Sequence, residues 1–163
     1  MLDFLTTFMN GKLAEWISAL GALATFAGVG FVWKQIQLTQ EIAQLEFEDG
    51  LSKEYRELTT NIPTRALLGG GLSSRDYEKT FDELFRYIDL SNEQTTLRAR
   101  GRISDETWTQ WADGIKFNMT LPVFKRAWSD IQHMAPTQFE ELRRLLNENF
   151  SNDPKNWAKV NQS

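Results

Sequence analysis

Trp16 to Trp33, WISALGALATFAGVGFVW, is a run of eighteen residues without a charge, and it constrains this chain more than any other feature. Its most polar side chains are Ser18 and Thr25. As a helix rising about 1.5 Å per residue it would reach roughly 27 Å, enough to cross the hydrocarbon core of a bilayer. A tryptophan stands at each end, where an amphipathic ring suits the headgroup level. Glu15 and Lys34 bound the run sharply. A buried core helix of a globular protein is the alternative; a single transmembrane helix, residues 12–34, is the preferred expectation.

A second pattern lies within the first. Ala14, Ser18, Gly21, Thr25 and Gly28 recur at spacings of four and three, so they form one stripe of small side chains. Ile17, Leu20, Leu23, Phe31 and Val32 lie elsewhere around the helix. In lipid, helices associate where small residues let their backbones approach closely. The expectation is a homo-oligomer packed along this seam. A chain with one spanning helix makes a pore only as an oligomer, and Ser18 and Thr25 would then face its water.

The start of the chain carries Asp3 and Glu15 with one lysine, unlike the basic leader of a secretory signal, so a cleaved signal peptide is not expected. Lys12 on one side of the run faces Lys34, Lys53 and Arg56 on the other. This asymmetry points to a single-pass topology with a cytoplasmic C-terminal domain. The net charge of −4 argues against direct DNA binding. Cysteine is absent, which removes thiol chemistry and thiolate metal sites. The lone histidine, His133, excludes a multi-histidine metal centre, and no cofactor is expected. Six tryptophans and eleven phenylalanines are enough to build a core after the anchor.

Residues 1–11 read as an amphipathic lead-in, with Leu2, Leu5 and Phe8 on one face and Asn10-Gly11 as a break. The helical pattern then continues from about Leu13 to Thr60, so residues 35–60 form a stalk. Its apolar stripe is Leu38, Ile42 and Leu45, then Phe47, Leu51, Tyr55 and Leu58 after a phase shift. Pro63 ends it, and residues 61–75 form a loop with three consecutive glycines. A phosphate-binding loop would need Gly-Lys-Ser/Thr and a preceding strand, and neither is present.

Residues 76–150 carry the periodicity of a helical bundle. A helix over 75–100 has Ser73 and Ser74 as caps and Gly101 as its stop. Ser104 caps the next, Pro122 opens a fourth that ends near Met134, and Thr137 with Glu140 makes a capping box for a fifth. Residues 151–163 are a polar tail with Trp157 docking back. The fold class is all-α: a single transmembrane helix continuing into a stalk and a four- to five-helix cytoplasmic bundle.

Two polar constellations stand out. Asp89, Asn92, Glu93 and Arg98 fall within two turns of one helix, close to the core, and read as a polar network. Arg126 and His133 are seven residues apart, hence on one helix face. Such a pair can cleave RNA without metal, the histidine as general acid–base and the arginine holding phosphate, with matching residues from a dimer partner. Ala127 stands where that motif usually has a polar residue.

The runs YIDLSNEQ, LRARGRIS, TWTQWADGI and LPVFKRAW, between Tyr87 and Trp128, resemble a family of small bacterial membrane-anchored proteins with an uncharacterised helical domain. That family is similar to the transmembrane accessory protein of type VI-B CRISPR systems. The likeness spans about residues 12–146 and rests on aromatic and glycine landmarks. It implies one spanning helix, a cytoplasmic HEPN-like bundle, assembly into a ring-shaped pore, and anti-phage defence through loss of membrane integrity. By the same resemblance Arg126 and His133 match the arginine–histidine pair. The implied partners are further copies of the chain, the lipid bilayer, and a CRISPR effector or other defence protein. A membrane-tethered RNase and a membrane-anchored adaptor for a protein partner are the alternatives.

Overall fold

A computed structural model describes residues 2–157, apart from the side chains of residues 2–20 and 22–24. The chain is all-helical, with no strand among the described residues. Helix α1 runs Leu2–Thr60, α2 Thr64–Leu67, α3 Ser74–Ala99, α4 Asp105–Asn118, α5 Pro122–Met134 and α6 Glu140–Asn147, followed by a 3₁₀ turn at Pro154–Asn156. Two compact units result, Met1–Leu45 and Glu46–Ser163.

Two sequence expectations change in the first sixty-odd residues. α1 passes through Asn10-Gly11 without interruption, so the lead-in is not a separate segment. A glycine inside a helix costs only about 1 kcal/mol and breaks it only where another feature turns the chain. The loop over 61–75 contains α2, and its glycines serve that short helix. Gly69 has φ +89, its N–H donates to the Ala66 carbonyl, and the Gly70 N–H donates to the Arg65 carbonyl at 2.8 Å. This is the paired closure of a helix end that requires a left-handed residue. A Cβ on Gly70 would lie 2.5 Å from Arg65 Cγ.

Among the described residues no helix is long and apolar enough to cross a membrane. The expected span, residues 12–34, falls in part outside them, at the side chains of residues 12–20 and 22–24.

In the unit Glu46–Ser163, α1 contributes Glu48, Leu51 and Leu58 as a buried stripe, and Ile62, just past its end, is buried as well. α3 is the centre, packed against α5, α6 and the 3₁₀ turn. Its buried residues include Tyr77, Thr80, Leu84, Tyr87, Ser91 and Gln94, recurring at three and four as one helix face requires. Tyr87 packs on Phe124 of α5 with ring centroids 4.7 Å apart. The hydroxyls of Ser91 and Thr95 sit on this buried face because each donates to the carbonyl four residues back, at 2.8 and 2.7 Å. Ala127 is fully buried against the core, where a longer polar side chain would have no room.

The caps decide where the helices begin. Ser73 accepts from the Asp76 N–H at 3.2 Å, and Ser104 from the Thr107 N–H at 3.2 Å. Pro122 opens α5, where its fixed φ suits the first turn. α6 corrects the expected capping box: it starts at Glu140, and its cap residue is Phe139 in the left-handed region, without a side-chain acceptor. The acceptor comes instead from α3, where Asn92 Oδ1 takes the Leu142 N–H at 3.0 Å. At the chain's far end Trp157 is buried, donates to Glu148 Oε2 at 3.1 Å and lies under the Arg144 guanidinium.

Candidate functional site

Three regions carry chemistry. The first is the described part of α1 ahead of Glu46. Phe26 is 78% exposed and Trp33 63%, and Val29, Phe31, Val32, Ile36, Leu38, Ile42 and Leu45 are all exposed as well. Of the expected seam, Ala14 and Ser18 lie outside the described side chains. Gly21, Thr25 and Gly28 are exposed, and a Cβ added at either glycine would meet nothing within 4 Å. The Thr25 hydroxyl donates to the Gly21 carbonyl at 2.9 Å. Its hydrogen-bonding need is met within the helix, as an apolar surrounding would require.

The second region holds the expected polar network, and its members separate. Asp89 and Glu93 are exposed, and Asn92 caps α6. Arg98, whose side chain is 3% exposed, turns the other way. Its Nε donates to Asp153 Oδ1 at 2.8 Å, its Nη1 to the Ile103 carbonyl at 2.8 Å, and its Nη2 to both Asp105 Oδ1 and Asp153 Oδ2. Lys155 also reaches Asp105 Oδ1, at 2.7 Å. Lys155 first and Arg98 second hold the Asp105 carboxyl below the ordinary carboxylate range. Burial pushes Asp153 up, but the Arg98 hydrogen bond and charge outweigh it and leave that carboxyl lowered too. One guanidinium therefore ties the end of α3, the start of α4 and the C-terminal turn together.

Beside this node, Glu48 of α1 is buried at the N-terminus of α4. Its Oε1 accepts the Ser104 N–H at 2.7 Å, and its Oε2 accepts from the hydroxyls of Ser104 and Thr107. In a capping box that return contact comes from a glutamate three residues past the cap. Here that position is Thr107, and a glutamate from another helix takes the part. Its negative charge also complements the helix dipole.

The third region is where α3, α4 and α5 present polar groups to open depressions. Arg126, Asp130 and His133 occupy one face of α5, as the seven-residue spacing requires. Arg126 lies over the Tyr77 ring with its Cζ 3.8 Å from the centroid, and the Tyr77 hydroxyl donates to Asp130 Oδ2 at 2.7 Å. Burial and the Asp130 carboxylate raise the Tyr77 phenol, so it stays a neutral donor. His133 is exposed on the rim of a depression of about 410 Å³ lined by Tyr77, Phe81 and Met134 among others. Asp130 thus places a carboxylate between the two side chains, Arg126 and His133, that a phosphate would use. No group of three or more histidines and carboxylates able to hold a metal occurs among the described residues.

A more enclosed cavity of about 400 Å³ lies between α1, α3 and α4 within the unit Glu46–Ser163. Tyr55 and Arg56 line it from α1, Tyr87 and Gln94 from α3, and Gln110, Trp111 and Gly114 from α4. Tyr55 and Tyr87 form one wall, their ring centroids 5.9 Å apart. Gln94 falls within the run YIDLSNEQ, and the signal in the sequence that could have found it is its three- and four-residue spacing from the apolar positions of α3. No family model, curated protein or solved structure matches the chain.

Proposed function

We propose that the chain is a single-pass, membrane-anchored homo-oligomer that acts in anti-phage, CRISPR-associated defence by perturbing the bilayer, with its C-terminal bundle on the cytoplasmic side. One observation carries this reading: α1 presents apolar side chains all round from Phe26 to Trp33, and they stay exposed within their own chain. A helix that is apolar on every side needs a surrounding other than water, either lipid or sister copies. The uncharged run from Trp16 to Trp33 extends the same surface. The open Gly21–Thr25–Gly28 stripe supplies a face for close approach. The defence role rests on the resemblance carried by residues 87–128.

Membrane fractionation of the full chain, followed by sizing and electron microscopy in detergent, tests both halves. The expected result is a detergent-dependent oligomer with a ring visible along its axis. A freely soluble protein removes the anchor, and a monodisperse monomer removes the pore.

A membrane-tethered RNase is favoured by the shared face of Arg126 and His133 and opposed by Asp130 between them. RNA cleavage that survives His133→Ala would discard it.

A further inference from the structure

We propose that the cavity between α1, α3 and α4 binds an adenine nucleotide. The cavity belongs wholly to the unit Glu46–Ser163, so this holds or fails independently of membrane anchoring. Gln94 is 4% exposed and lines the cavity; among the described residues its side-chain amide makes no hydrogen bond, and it is not sealed within the core but open to the cavity. An amide left in this way pairs with water or a ligand.

The amide and its neighbours say which ligand. An amide offers one donor and one acceptor side by side, the pattern that pairs with N6 and N7 of adenine. The half-buried Trp111 and the exposed Tyr55 give aromatic surface on which a planar base stacks. Arg56 is exposed and is the cation among the lining residues, placed to take a phosphate outside the stacked base. The volume, about 400 Å³, lies in the range of small-molecule sites.

Gly114 is a separate clue. It sits inside α4, where glycine weakens a helix, yet a Cβ there would meet nothing within 4 Å and its φ is not positive. Packing within the chain does not require a glycine at that point. Its missing side chain enlarges the cavity that Gly114 lines.

Calorimetric titration of AMP and of adenosine into the full chain in detergent tests the assignment. Wild type should bind AMP saturably. Gln94→Leu should weaken AMP at least tenfold, and Arg56→Ala should weaken AMP while sparing adenosine. Gly114→Ala should raise the melting temperature and weaken AMP tenfold, so that lost binding there cannot come from misfolding. Absence of saturable AMP binding at millimolar concentration, as for a cavity holding water alone, overturns the proposal. So does unchanged affinity in both Gln94→Leu and Gly114→Ala.

Discussion

Arg98 shows how one buried side chain sets the stability of the bundle. Its guanidinium has partners at Asp105, Asp153 and the Ile103 carbonyl, and removing it takes the charged partner from Asp153 and the donor from the Ile103 carbonyl. Breaking a buried ion pair costs about 3–5 kcal/mol. Arg98→Met should fall at the low end, about 3 kcal/mol, because Asp105 is well exposed and keeps its water. Urea unfolding followed by circular dichroism measures this. The pH dependence follows from the same contacts. Both carboxyls are lowered in the folded chain, so the unfolded chain takes up protons first as the solution is acidified. Their contribution is complete above the ordinary carboxylate value of about 4 and is lost as pH falls through the folded-state values. The wild-type urea midpoint should therefore hold down to about pH 5 and drop as the pH falls below about 4, and Arg98→Met should start lower and drop less.

At the scale of elements, the helix ends divide by the distance of their capping partners. Ser73, Ser104 and Pro122 act within three residues of themselves, so their helices start where the sequence pattern puts them. Gly101 is equally local: at φ +69 it closes α3, with the Arg102 N–H on the Leu97 carbonyl at 3.0 Å. The α6 boundary was not legible, because its acceptor stands on Asn92, fifty positions earlier in the chain. Arg98 presents the same difficulty, since local spacing suggested Asn92 or Glu93 as partners while Asp153 arrives from the C-terminal turn. Side chains that join distant segments leave no period in a sequence. Asn92→Ala should cost about 1 kcal/mol, the usual worth of a cap. Gly101→Ala should cost about as much, because a Cβ is strained at positive φ. Thermal melts of the two variants and their double mutant would show additive losses, since they act at different helix ends.

For the whole molecule, the question is what covers α1 between Phe26 and Leu45. Every large apolar side chain there is exposed within its own chain, whereas Leu51 and Leu58 further along the same helix are buried. One continuous helix thus carries two kinds of surface, one satisfied within the fold and one that needs partners outside it. On the membrane reading those partners are lipid around most of the helix and sister helices along the small-residue stripe. The two contributions separate in one substitution. Gly21→Leu adds apolar bulk where a Cβ meets nothing within the chain, so it neither strains the helix nor weakens its partition into lipid. The same bulk holds neighbouring backbones apart. The variant should therefore remain in the membrane fraction while its particle size in detergent falls to that of smaller assemblies or the monomer. Retention of the full oligomer would move the contact to another face of α1, and loss from the membrane fraction would mean that association, rather than insertion, holds the chain there.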